Sequence, residues 1–195
     1  MMNSMSRTEV AKSIVLRYVT PISFQEIDQY QSSIEIEKEK VIMLLSVLKN
    51  EGFKQLSYLS AVDWPEEHSF EIIYVLMNWT LGYHLMIRTK IDRNSPEMPS
   101  IITVFPGAIY YERECHEFFG VKFPGNPTYE KQLILENWDD IPPLRKDFDP
   151  KAYSDRKFAS RAYSETYIVS DPSNHQKMKR EKRKERAASL RGEKR

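Results

Sequence analysis

A chain of 195 residues has room for one domain with extensions, and its 41% hydrophobic content is enough to build a core. The net charge of +1 hides an uneven placement: residues 174–195 hold ten Lys or Arg and three acids, so a tail of +7 follows a body of −6. No apolar run approaches the roughly 20 residues that span a bilayer, and no basic patch followed by an apolar stretch marks a secretory signal. The single cysteine, Cys115, excludes an internal disulfide and a four-thiolate iron–sulfur cluster, and points to a reducing compartment.

Ser6-Arg7-Thr8-Glu9 has the form of a capping box, and Val10, Ile14 and Tyr18 recur every four residues, so a helix is predicted from Arg7 to Val19. Thr20-Pro21 stops it. Ser33 to Glu37 alternates as a short strand, with Ile34 and Ile36 on one face. Val41, Leu44, Leu45 and Leu48 form a helical stripe that Gly52 closes. Phe53 to Leu59 returns as a strand, and this strand–helix–strand succession predicts a right-handed crossover and a parallel pair. Phe70–Leu76 and Tyr83–Thr89 flank a short loop and are expected to form an antiparallel hairpin. Ile101–Phe105 is β-branched and reads as a brief strand. A helix from Ala108 to Phe119 follows, with Ala108, Tyr111, Cys115, Phe118 and Phe119 inward and Gly120 as its stop.

After Pro124 the texture changes to prolines and spaced aromatics: Tyr129, Trp138, Phe148, Tyr153, Phe158, Tyr163 and Tyr167. Such a segment is expected to lie as an extended arm across a partner surface. The division that follows is an α+β domain over 1–125, an arm over 126–173 and a basic tail over 174–195. The fold class is α+β, a small mixed sheet covered by helices in two layers.

Nucleotide and catalytic chemistry find little support. The glycines at 52, 82, 107, 120, 125 and 192 draw no G-x-G-x-x-G turn. Gly120 and Gly125 have the spacing of a phosphate-binding loop, but Asn126-Pro127 stands where Lys and Ser/Thr are required. His68, His84, His116 and His175 form no i, i+3 or i, i+4 ligand pair. Cys115 and His116 are adjacent and point about 100° apart on a helix. A free-standing cysteine enzyme would rest on Cys115 alone, and a nucleic-acid binder on the basic tail alone. That tail interleaves no aromatic that could stack on a base.

Two charged segments stand among aromatics. Tyr110-Tyr111-Glu112-Arg113-Glu114-Cys115-His116-Glu117 could be a solvated face with an Arg113–Glu117 pair at i, i+4. In Ile141-Pro142-Pro143-Leu144-Arg145-Lys146-Asp147-Phe148, three successive charges sit between apolar residues. Charges crowded by apolar groups need partners, because an unpaired desolvated charge is costly.

Taken together the segments form a signature: Glu112-Arg113-Glu114, then Phe118-Phe119-Gly120-Val121-x-Phe123-x-Gly125-x-Pro127, then Trp138, then Pro143-Leu144-Arg145-Lys146-Asp147-Phe148. It resembles the 30 kDa subunit family of respiratory complex I (an NADH dehydrogenase) and its relatives. The likeness begins near Leu48 and Gly52-Phe53, passes through Val62-Asp63, and covers roughly residues 40 to 150. Members commonly have His where this chain has Asn126, and basic residues where it has Glu130 and Gln132. These departures lean toward relatives in membrane-bound NiFe hydrogenases or ferredoxin- or F420-linked complexes, with the 30 kDa-type subunit of a typical NADH–quinone oxidoreductase as the alternative.

The resemblance implies a non-catalytic structural subunit of the peripheral arm of a membrane-anchored, ion-pumping oxidoreductase. It implies packing beside the large subunit that carries a quinone or NiFe site, at the cytoplasmic face of the cell membrane. No cofactor is expected on this chain; iron–sulfur clusters are expected in partner subunits. Glu112, Arg113, Glu114, Leu144, Arg145, Lys146 and Asp147 are the expected subunit interface. Membrane contact is expected to be indirect, with the tail docking on a partner subunit or aiding contact with anionic lipid, and no nucleic acid is expected as a partner.

Overall fold

Ser6 and Glu9 close the expected capping box: the Glu9 amide donates to Ser6 Oγ at 3.1 Å, and the Ser6 amide donates to the Glu9 carboxylate at 2.7 Å. They start helix α1, Arg7–Leu16, which buries Thr8, Ala11, Ile14 and Val15. The computed structural model describes residues 5–158. Residues 159–173 of the expected arm, and the whole of the 174–195 tail, lie outside the described residues.

Strands β1 (Ser23–Asp28) and β2 (Gln31–Glu35) come next, then α2 (Val41–Asn50), β3 (Gln55–Trp64), β4 (Ser69–Asn78), β5 (Tyr83–Asp92) and α3 (Ala108–Phe119). The strands form one sheet in the order β1-β2-β5-β4-β3. The β4–β5 hairpin is antiparallel through ten residue pairs, from Ser69↔Asp92 to Asn78↔Tyr83, as its two runs predict. β2 lies parallel to β5, and β3 antiparallel to β4, so the sheet is mixed.

Three expectations are corrected. The crossover through α2 does link two strands of the same direction, but they are not neighbours. The parallel partner of β2 is β5, and the hairpin occupies the space between β2 and β3. Ile101–Phe105 is no strand: Val104 N and Phe105 N both donate to Ile101 O, at 2.9 and 2.8 Å, which makes a helical turn. Its buried residues Ile101, Val104 and Phe105 follow the i, i+3, i+4 spacing of that turn. The fifth strand is instead β1, which lies at the sheet edge and is largely exposed.

Alternation along the strands separates two faces. Side chains of Leu59, Tyr74, Ile87 and Ile34 sit in one cross-strand row, and Ala61, Ile72 and Thr89 in the next. All seven are buried on the covered face. Helix α2 adds Val41, Leu44, Leu45 and Leu48, and α3 adds Ala108, Cys115 and Phe119, to one continuous core. Each fully buried leucine contributes roughly 1.5–3 kcal/mol, so α2 alone anchors its layer firmly. The opposite face carries half-buried Ile73, Val75, Met77 and Met86, beside an ion pair between Arg88 and Glu71 at 2.9 Å.

Gly52 and Gly120 take positive φ of +101° and +83° and end α2 and α3 as their positions predict. A Cβ on Gly120 would also stand 3.3 Å from Pro142 Cγ, so glycine there lets the following segment close onto the helix end. That segment, from residue 126 to Pro150, belongs to the same compact unit as the sheet, and the boundary drawn at 125 falls inside this unit. A second unit begins at Lys151; within it the described residues continue helix α4, Pro150–Lys157, which has no buried residue.

Candidate functional site

Helix α3 organises the signature. Counting from Ala108, positions 112, 115 and 119 fall on its inward stripe, so Glu112 is forced into the interior between apolar neighbours. Its carboxylate is fully buried and accepts three hydrogen bonds: from Ser100 Oγ at 2.8 Å, Ile101 N at 2.8 Å and Asn126 Nδ2 at 2.9 Å. Burial pushes the Glu112 carboxyl above the ordinary glutamate value, and the three donors only partly oppose it. Asn126 in turn accepts from Thr128 N and Oγ1 at 2.9 and 3.0 Å, so one acid ties the 100–101 turn and the 126–128 loop to α3.

On the same helix, the Arg113–Glu117 pair that a solvated face would allow is absent among the described residues, and each side chain holds backbone instead. Arg113 donates to the carbonyls of Lys131 and Gln132, at 3.1 and 2.6 Å. Glu117 accepts from three successive amides, Leu133, Ile134 and Leu135, with shortest distances of 2.9 Å each. Guanidinium to carbonyls and carboxylate to amides fix both ends of the 131–135 loop, which has no regular structure of its own to satisfy its polar groups. His116 stacks edge-on against Tyr129, with ring centroids 4.9 Å apart. Its Nδ1 lies 3.0 Å from Val121 O; a carbonyl only accepts, so Nδ1 carries the proton.

The second charged segment is pinned by an acid that alternation along β3 turns inward. Asp63 follows Leu59 and Ala61 on the covered face. Arg93 donates to both of its oxygens at 2.7 and 3.0 Å, and Lys146 N donates at 2.8 Å. Arg93 also bridges to Asp147 at 2.9 Å, and Asp147 to Arg145 at 3.4 Å. Both guanidinium groups lie within cation–π range of the Phe70 ring, at 5.8 and 5.6 Å. Burial alone would raise the Asp63 carboxyl; the Arg93 hydrogen bonds, the Lys146 amide and the charges of Arg93 and Arg145 outweigh it and hold it below the ordinary value. Phe119 packs edge-on against Phe70 with ring centroids 6.3 Å apart, joining the two halves of the signature beneath this network.

The seven expected interface residues therefore divide. Glu112 is corrected to an interior residue, because a carboxylate with no exposed surface has nothing to present to another subunit. Arg113, Arg145 and Asp147 are engaged within the chain. Glu114 is half-buried and makes no hydrogen bond or ion pair among the described residues. Leu144 is 53% exposed, and Lys146 is exposed while its amide is held by Asp63. These three side chains remain for an outside contact.

Asp63, Arg93, Asn126, His116 and Glu117 were not singled out for these roles by sequence reasoning. For Asp63 the signal is its parity: a charge at an inward position of a strand needs a partner. The Cys115 thiol is buried, and burial first and then Glu114 and Glu112 push it well up, away from thiolate character. Among the described residues no group of three or more His, Cys, Asp or Glu is placed to hold a metal ion. No described helix is long and apolar enough to cross a membrane.

The family described as respiratory-chain NADH dehydrogenase, 30 kDa subunit, matches residues 34–154. An NADH-quinone oxidoreductase subunit of Moorella thermoacetica is 34% identical over 117 residues, covering 60% of this chain and 78% of that one. A chain of the membrane-bound sulfane sulfur reductase, an archaeal respiratory membrane complex, superposes with a TM-score of 0.74 at 31% identity, covering 82% of this chain and 95% of that one. The trypsin-resistant fragment of Nqo5 shares the fold, with a TM-score of 0.53 at 20% identity over 63% of this chain and 98% of that one.

Proposed function

Because the chain belongs to the respiratory-chain NADH dehydrogenase 30 kDa subunit family, we propose that it is a non-catalytic structural subunit of a complex-I-related, ion-pumping oxidoreductase. It sits peripherally on the cytoplasmic face of the membrane and packs beside the large subunit. Redox cofactors, iron–sulfur clusters among them, reside in the partner subunits. The reading leans to a relative outside the typical NADH–quinone enzyme, of the hydrogenase- or ferredoxin-linked kind. The observation that supports this lean is the likeness to the archaeal sulfane sulfur reductase chain, at a TM-score of 0.74 and 31% identity over 82% of this chain. The alternative, the corresponding subunit of an NADH–quinone oxidoreductase, is favoured by the 34% identity of that Moorella relative.

The physical support is a division of labour within the signature. Glu112, Glu117, Asp63 and Arg93 hold loops rigid from within, and rigidity lowers the ordering cost of association. Glu114, Leu144 and Lys146 are left as outward contacts, one apolar side chain and a charge of each sign. Replacing Leu144 by Asp together with Lys146 by Glu should reduce retention of the chain by the detergent-solubilised complex about tenfold or more. The fold should be unchanged by circular dichroism, since the backbone bonds of both residues to Phe118 and Asp63 survive. Retention equal to the wild type across a salt titration would remove these residues from the interface.

A further inference from the structure

Between the end of α3 and the loop it holds runs a groove of about 240 Å³, lined by His116, Gly120, Leu135, Trp138 and Pro142, with Glu130, Lys131 and Gln132 among its remaining walls. Ligand pockets for cofactors or drug-sized molecules run to about 300–1,000 Å³, so this volume suits one or two side chains rather than a free small molecule. Its floor is apolar and fixed: Glu117 anchors the Leu135 amide, Trp138 donates to Ile141 O at 2.9 Å, and Gly120 permits the close approach of Pro142. Exposed apolar residues continue outward from it, with Ile134 at 66% and Ile141 at 39%.

The surroundings are acidic. Two acids, Glu130 in the wall and Glu136 next to Leu135 of the wall, stand against one base, Lys131. An apolar slot inside an acidic rim discriminates by charge against acidic occupants and favours basic ones.

We propose that this groove receives a basic segment of the large subunit, inserting an aliphatic or aromatic side chain between His116, Leu135 and Trp138 while its flanking Lys or Arg face Glu130 and Glu136. This deepens the subunit reading and rests on it. Neither Leu144 nor Lys146 lines the groove, so this contact adds to theirs.

A photoreactive benzoylphenylalanine at Gln132 tests it in the complex purified from solubilised membranes. The Gln132 side chain lines the groove, and only its carbonyl is engaged by Arg113. The same group at Met43, exposed on α2, is the control. Irradiation should cross-link position 132, and not 43, to a large-subunit peptide of net positive charge. Adding Glu130→Lys with Glu136→Lys should lower the yield about tenfold. Equal cross-linking from both positions, a cross-link into an acidic stretch or into this chain's own sequence, or an unchanged yield in the double variant would overturn the proposal. If the chain fails to co-purify with a large subunit at all, the subunit reading falls and this one with it. Co-purification without a cross-link from 132 sinks the groove alone.

Discussion

Replacing Asp63 by alanine should destabilise the folded chain by about 3–5 kcal/mol, because it removes one member of a buried pair and leaves the other in place. The Asp63 side chain has no exposed surface, and Arg93 keeps only 14% of its own. The same change frees the Lys146 amide, so the 144–148 segment loses its anchor to the sheet. Denaturant unfolding of the full chain measures the loss. Asp147→Ala is the comparison: its side chain is 49% exposed, and a solvent-screened pair of that kind contributes about 0–1 kcal/mol. If both variants unfold at the same denaturant concentration, Asp63 is not the centre of the network.

The pH dependence carries a definite sign. Asp63 titrates below its ordinary value in the folded chain, so its contribution is full above the ordinary aspartate value and is lost as pH falls through the folded one. Glu112 runs the other way. Its folded value is raised, so its contribution is full below the ordinary glutamate value and declines as pH rises through the folded one. Acid unfolding of the wild type should therefore be steeper than that of Asp63→Asn.

Glu112→Ala should be the second severe substitution. It leaves Ser100 Oγ, Ile101 N and Asn126 Nδ2 without their acceptor in a site with no exposed surface, and it empties the carboxyl's volume. Each buried donor left unsatisfied costs about 1–3 kcal/mol, so the sum reaches about 3–5 kcal/mol even with some relaxation. Glu112→Gln keeps the volume and one acceptor oxygen, and should cost about 1–3 kcal/mol. Equal unfolding midpoints for alanine and glutamine would mean that packing, and not the hydrogen bonds, accounts for the role of Glu112.

Much of the fold is legible wherever local chemistry and burial agree. The α3 helix and its glycine stop follow from periodicity, and the hairpin from two β-rich runs around a short loop. Ile101–Phe105 shows where that agreement fails: β-branched residues report a half-buried pleated surface, and here the same residues pack around a helical turn held by Glu112. Strand β1 escaped because an edge strand with one covered neighbour needs no apolar alternation. The parallel pairing of β2 with β5 spans about fifty residues and is set by where the hairpin docks, which no local pattern encodes.

The charged segments were legible as places that need partners, though not as to which. Glu112, Arg113 and Glu117 find theirs in loops 11 to 19 residues away, and Asp63 holds the second segment by the Lys146 amide, 83 residues away. Spacing along one helix suggests an i, i+4 pair because it sees no competitor; three backbone amides and two carbonyls are better partners for charges that must be desolvated.

The proposed role is that of a subunit without chemistry of its own. Affinity purification of the tagged full chain from mildly solubilised membranes tests it most directly, with the eluted proteins identified and their stoichiometry measured. Equimolar recovery with one large subunit and with iron–sulfur subunits is expected, with loss of that recovery in the Leu144→Asp, Lys146→Glu variant. Recovery of the chain alone from the soluble fraction, with none of those partners, would contradict it.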